Sequence, residues 1–128
     1  MKLAVFGSRS ITDKTFVEKS LKEYIDTIGM PNVVLMGGAA GVQEIVKEHL
    51  KGLTDVIIFK QWHMVDTKLG FVTKYLFMRN KQIIDNSHRV LVFSKEGEAD
   101  SEVDMAIEFA HKRGKQVDVI NYEEGAGG

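Results

Sequence analysis

Four short, uninterrupted apolar runs set the strongest constraint on what this chain can fold into. They are Leu3-Ala4-Val5-Phe6, Val33-Val34-Leu35-Met36, Val56-Ile57-Ile58-Phe59 and Val90-Leu91-Val92-Phe93. Each is rich in β-formers and lacks the polar alternation of a half-exposed strand, which is the pattern of strands covered on both faces. A fifth run, Val117-Asp118-Val119-Ile120, is less apolar, as an edge strand would be. The segments between them carry helical spacing. Val17, Leu21, Tyr24, Ile25 and Ile28 share one face, Lys14, Glu18 and Lys22 another, and Gly29 and Pro31 stop the helix. Val42, Ile45, Val46 and His49 repeat at i, i+3, i+4, i+7 before Gly52, and Val103, Ala106, Ile107 and Ala110 repeat likewise before Gly114. Thr12-Asp13 reads as the cap of the first helix, and Ser101 with Asp104 reads as a capping box for the last. Asp104, Glu108 and Lys112 form its solvated face. Strand–helix alternation of this kind gives right-handed βαβ units. The expected architecture is three-layer α/β/α with a five-stranded parallel sheet of order 3-2-1-4-5. Ligands bind such sheets outside the C-terminal strand ends, where the order reverses.

A chain of 128 residues is the size of one domain, and the reading is a single domain over 1–122 with a disordered tail over 123–128. Seventeen basic residues against eighteen acidic ones leave a net charge of -1, without the broad positive surface of a duplex nucleic-acid binder. The absence of cysteine excludes disulfides, thiol catalysis and Cys-ligated zinc. No signal-peptide pattern opens the chain, and no apolar run approaches the roughly 20 residues that cross a bilayer. A cytoplasmic protein without membrane or duplex nucleic-acid partners is expected.

Three segments converge on the expected crevice. Gly7-Ser8-Arg9-Ser10 follows the first strand: Gly7 permits a sharp turn, the hydroxyls and N–H groups suit an oxyanion, and Arg9 can grip phosphate bidentately. An ordinary polar βα loop is the alternative. Gly37-Gly38-Ala39-Ala40-Gly41 follows the second strand and opens a helix. Its small residues let a ligand approach the backbone at a positive helix end, although the segment is neither G-x-G-x-x-G nor a P-loop. Arg79-Asn80 is the third. With Val72, Tyr75, Leu76 and Ile83 defining the apolar face of the third helix, Arg79 projects into its middle and Asn80 lies at its edge. A charge facing a core needs a carboxylate, a backbone cluster or a ligand anion.

Glu96, Glu98, Asp100 and Glu102 follow the fourth strand. They read first as a solvated acidic loop, and alternatively, at Glu98 or Glu102, as acids acting beside a sugar. Trp62 and His63 suit either a base-stacking lid or a buried anchor. The four histidines have no metal-ligand spacing, and no metal or cofactor is assigned. Met64, Met78 and Met105 read as core filler, while Phe71, Phe77 and Phe109 hint at a homo-oligomer through outer helices.

In this order, Gly7-Ser8-Arg9, Gly37-Gly38-Ala39-Ala40-Gly41, Trp62 and Arg79-Asn80 resemble the SLOG superfamily, and particularly its small YspA/YpsA-like branch. The resemblance spans essentially the whole chain. It implies a Rossmann-like domain, related to the Lonely Guy phosphoribohydrolases and DprA, that binds a nucleotide or nucleotide-derived ligand. The implied ligand-binding residues are Gly7, Ser8, Arg9, Gly37, Gly38, Ala39, Gly41, Trp62, Arg79 and Asn80. The chain departs from the family pattern at Gln43, where an Asp is usual. In place of the phosphoribohydrolase motif Pro-Gly-Gly-x-Gly-Thr it carries Ser94-Lys95-Glu96-Gly97-Glu98-Ala99-Asp100-Ser101, which counts against that activity. Ligand binding is the leading expectation. Cleavage of an N-glycosidic bond and a structural or assembly role without a ligand are the alternatives.

Overall fold

A computed structural model of the chain describes residues 1–59 and 69–123, and side chains outside 60–76. Five strands, β1 (Lys2–Gly7), β2 (Val33–Met36), β3 (Asp55–Ile58), β4 (Arg89–Lys95) and β5 (Gln116–Tyr122), form one sheet of order β3-β2-β1-β4-β5. All pairings are parallel, with Leu3 beside both Val34 and Arg89. Between the strands run α1 (Lys14–Ile28), α2 (Val42–Leu50), α3 (Leu69–Asp85) and α4 (Ser101–Lys112).

Alternation of side chains along each strand divides the core in two. Leu3, Val5, Val34, Met36, Leu91 and Phe93 point to the face covered by α1 and α2, where Val17, Leu21, Val42, Val46 and Leu50 meet them. Ala4, Phe6, Leu35, Val90 and Val92 point to the opposite face and pack with Ile83 and Ile84 of α3 and Val103, Ala106 and Ala110 of α4. β1, β2 and β4 are buried on both sides, as their unbroken apolar runs require. β3, read from its apolar run as covered on both faces, is instead a sheet edge with Ile57 49% exposed, because among the described residues no strand pairs beyond it. The two connections that build outward from β1 to β3 therefore use one face, and the return through α3 to β4 uses the other. The reversal falls between β1 and β4, bridged at its C-terminal end by the Ser8 N–H donating to the Phe93 carbonyl at 3.1 Å.

Helix boundaries follow local chemistry. Asp13 caps α1 by accepting from the Phe16 N–H at 3.0 Å, and Gly29, at φ 93, ends it with a bond to the Ile25 carbonyl. The cap of α4 is Asp100, not Ser101: its carboxylate accepts from Glu102 N at 3.0 Å and Val103 N at 3.1 Å, and Ser101 is the first helical residue. An aspartate one residue earlier satisfies two orphan N–H groups, so the capping box read at Ser101 does not form. Met78 is likewise not core filler. It is 47% exposed, because the buried face of α3 runs through Arg79, Asn80, Ile83 and Ile84, and Met78 falls outside that stripe. Phe109 is partly buried against the α4-side core, and Arg113 and Lys81 approach its ring to 4.8 and 5.4 Å.

At the opposite end of the sheet from the switch-point mouth, Asp118 gathers three elements. Its Oδ2 accepts from the Tyr24 hydroxyl of α1 at 2.6 Å and from Arg89 Nε of β4 at 2.9 Å. Burial raises the Asp118 pKa, but these two hydrogen bonds and the Arg89 charge outweigh it and hold the carboxyl below its ordinary range. A carboxyl depressed in the folded state stabilises above its unfolded pKa of about 4 and loses that contribution as pH falls through the lower folded value. Asp118→Asn is therefore expected to lower neutral-pH stability by about 1–3 kcal/mol. Denaturant melts across pH should show the gap from the parent chain narrowing below about pH 4.

Candidate functional site

The loops that follow β1, β2 and β4 meet at the switch point, and three glycines are what bring them together. A Cβ on Gly7 would stand 2.6 Å from Val42 Cβ, so the end of β1 and the start of α2 approach as closely as they do because position 7 has no side chain. Gly7 is thus required by packing; its φ is not positive. A Cβ on Gly41, which also holds φ 77, would lie 2.7 Å from the Arg9 carbonyl oxygen. The 7–10 and 37–41 loops are therefore in direct backbone contact. At Gly37 a Cβ would fall 2.5 Å from Arg79 Cζ, inside the space the guanidinium occupies.

Arg79 is 6% exposed and projects from α3 onto the end of β2. Nη1 donates to the Gly37 carbonyl at 3.3 Å, while Nε and Nη2 donate to Asn80 Oδ1 at 3.3 and 3.1 Å. Nη2 also lies 3.5 Å from Glu102 Oε1, which accepts from Asn80 Nδ2 at 3.0 Å. Asn80, fully buried, thus bridges the cation and the carboxylate with both ends of its amide. Burial pulls the Arg79 pKa below the ordinary arginine value, Glu102 raises it, and the charge of Arg9 lowers it. Arg9 is exposed, and among the described residues it makes no hydrogen bond or ion pair. The charge of Arg9 thus reaches Arg79, and among the described residues the carboxylate in contact with Arg79 is that of Glu102.

Sequence reading missed Gln43 as a functional scaffold. It is 1% exposed, donates from Nε2 to the Val5 carbonyl at 2.9 Å and accepts the Ala39 N–H at 2.8 Å. The Gly-rich loop is fastened to β1 through this amide, and the Ala39 N–H is spent on it. The signal was present: Gln43, Val46 and Leu50 fall at i, i+3, i+7, which puts a polar residue on the buried stripe of α2. The true stripe displaces His49 to the helix edge, where its Nδ1 lies 3.8 Å from Glu18 of α1. Gly41 provides no side-chain cap, which leaves the first N–H groups of α2 to the loop's own mouth. Beside it a groove of about 430 Å³ is lined by Gly38, Ala40, Gln43, Glu44, Lys47 and Ile58.

The acidic loop is not simply solvated. Glu98 accepts from the Ser8 and Ser10 hydroxyls at 2.6 Å each, Asp100 caps α4, and Glu102 holds Arg79 and Asn80; Glu96 is exposed. Among the described residues, no three His, Asp or Glu side chains gather closely enough to hold a metal ion. Gly7, Ser8, Arg9, Gly37, Gly41, Arg79, Asn80, Glu98 and Glu102 are brought together around the switch point, with Gly38 and Ala39 in the same loop. Trp62 lies outside the described residues. Comparison with protein-family models, with curated proteins and with solved structures finds no match.

These contacts separate two kinds of glycine substitution. Gly7→Ala overpacks Val42 in the core and is expected to cost about 1–3 kcal/mol of stability. Gly37→Ala should act through Arg79 instead, by expelling the guanidinium from its seat. In a double-mutant cycle of melts, Gly37→Ala and Arg79→Met are then expected to be sub-additive, with about 1 kcal/mol or more of coupling. Additive losses would show that Gly37 does not make room for Arg79.

Proposed function

We propose that this protein binds a nucleotide or nucleotide-derived ligand through its phosphate at the switch point between β1 and β4. Arg9 carries the reading. An exposed guanidinium without a partner among the described residues stands beside the buried Arg79, where the uncapped N-terminus of α2 adds its own partial positive charge. Like charges brought together at the mouth of a crevice are relieved by an anion, and guanidinium geometry suits phosphate oxygens. The chain is close to neutral overall, so what favours an anion is Arg9, which has no carboxylate paired to it among the described residues, and not a positive surface. The ligand's phosphate would lie on the Ser8 and Ser10 hydroxyls that flank Arg9, toward the start of α2. Its sugar and base would extend into the groove beside Gly38, which has the volume of a small-ligand site. The same residues carry the resemblance to the SLOG superfamily, whose members bind ligands of this class.

A second reading is favoured by Glu102. Its carboxylate is oriented by Arg79 and Asn80 and keeps 18% of its side-chain surface exposed at the mouth, a position from which it would stabilise positive charge developing on a sugar. On this reading the bound nucleotide is cleaved at its N-glycosidic bond.

A thermal-shift screen of nucleoside monophosphates, dinucleotides and sugar phosphates, followed by titration, tests both. Arg9→Ala should weaken binding by about 1.5–3 kcal/mol, the value of a charge-assisted hydrogen bond, with melting unchanged because no contact is lost. Arg79→Met should lose both affinity and stability. Failure of every probe to bind, or equal affinity in the Arg9 variant, would reject the reading. Release of free adenine from AMP, abolished by Glu102→Gln, would establish the second.

A further inference from the structure

We propose that the Glu98 carboxylate is an internal anion seated on the hydroxyl pair that a ligand's phosphate would take, which makes the turn after β4 a latch that the ligand must open. This rests on the phosphate-binding reading above.

The contact is two-pronged. Glu98 Oε1 accepts from the Ser8 hydroxyl and Oε2 from the Ser10 hydroxyl, both at 2.6 Å, and the two hydroxyl oxygens are themselves 2.8 Å apart. Each hydroxyl has one proton to donate. Two protons already serve three short contacts, so none is left for a second anion while Glu98 stays in place. A phosphate brought to the same hydroxyls would also meet the carboxylate at a few ångströms, where like charges repel. Occupation by Glu98 and occupation by phosphate are therefore mutually exclusive. One half of the seat, Ser8, is buried, while Ser10 and the occupant are both exposed. Ser8 is 1% exposed and anchored through its N–H to Phe93, whereas the Glu98 side chain keeps 34% of its surface exposed. The Ser10 and Ser8 hydrogen bonds hold the Glu98 carboxyl below its usual range, as expected for a group bound in its charged form.

The element that carries Glu98 is a turn at the end of β4, held to β5 by the Glu96 N–H donating to the Tyr122 carbonyl at 2.8 Å. Lys95 to Glu98 form a tight turn, closed by the Glu98 N–H on the Lys95 carbonyl at 3.2 Å. Gly97, at φ 78, has open space around the position of a Cβ. The cap of α4 belongs to Asp100, and the grip on Arg79 belongs to Glu102, so release of Glu98 disturbs neither. Lys95 Nζ, 3.9 Å from Oε2, is the nearest cation on the turn itself.

A site that is closed most of the time has its apparent affinity reduced by the fraction that is open. Titration of AMP and of inorganic phosphate into the parent chain, Glu98→Gln, Glu98→Ala, Glu96→Gln and Arg9→Ala tests the latch, with a melt of each variant as a check on folding. Glu98→Gln and Glu98→Ala should tighten both probes about tenfold, roughly the effect of one charge-assisted contact. Glu96→Gln removes the same charge from the same turn without touching the serines, and should leave affinity within about twofold, the range of a distant exposed charge. An equal gain in the Glu96 and Glu98 variants, with binding still lost in Arg9→Ala, would overturn the latch and leave the phosphate site standing. Absence of binding by either probe in every variant would overturn both.

Discussion

A guanidinium stripped of most of its water must recover those hydrogen bonds from the protein, and Arg79 does so from three directions at once. The carbonyl of Gly37 comes from the end of β2, the amide of Asn80 from its own helix, and the carboxylate of Glu102 from the first turn of α4. Loss of one partner would leave a buried charge under-satisfied, which costs far more than an ordinary surface contact. The cluster therefore fixes how α3 and α4 sit relative to the strand ends. It also explains why position 37 is glycine: the guanidinium lies in the volume that a β-carbon would fill.

The surrounding loops inherit their positions from this arrangement and from close backbone packing. Gly7 lets Val42 press against the end of β1, and Gly41 lets the second loop rest on the Arg9 backbone. Gln43 then ties the Gly-rich loop to the interior of β1 with two hydrogen bonds from a side chain that sees almost no solvent. None of these contacts involves a long flexible side chain at the surface. The result is a close junction of backbone and small residues between the 7–10 and 37–41 loops, seated on a core with two separate faces.

The large-scale architecture was legible because it depends on local pattern. Strands covered on both faces need unbroken apolar runs, and the sheet order follows from alternation and handedness. Arg79 could be singled out by helical phase alone, since its neighbours on the wheel are apolar. Its partner could not: Glu102 lies on another helix, and their meeting depends on how α3 and α4 pack. The same limit applies to Glu98, which is 90 residues from Ser8 in the chain and bonded to it in space. At Asp100 and Ser101 two good capping residues stand side by side, and local rules do not say which of them the packed helix uses. Gln43 was readable but resembled a departure from a motif more than a member of a buried stripe.

The acidic segment after β4 shows how position along one loop separates the roles of like residues. Alternating residues there divide three tasks: Glu98 reaches toward β1, Asp100 turns back to cap α4, and Glu102 points to α3. Only Asp100 acts on its own helix, and its role is satisfied by backbone alone. The other two acids bind donors of the site, Glu98 the Ser8 and Ser10 hydroxyls and Glu102 the Arg79 and Asn80 side chains, and they do so unequally. Glu102 is held by a buried arginine and a fully buried asparagine, so its removal reorganises the interior. Among the described residues, Glu98 is held by two hydroxyls and by Lys95 at 3.9 Å, on a turn with open space at the Cβ position of Gly97. Charge that is tied to the core stabilises the fold, whereas, on the proposed reading, charge that is tied to the rim would be exchanged for a ligand's. Arg9, on the same rim and with no carboxylate paired to it among the described residues, is the group from which that exchange gains.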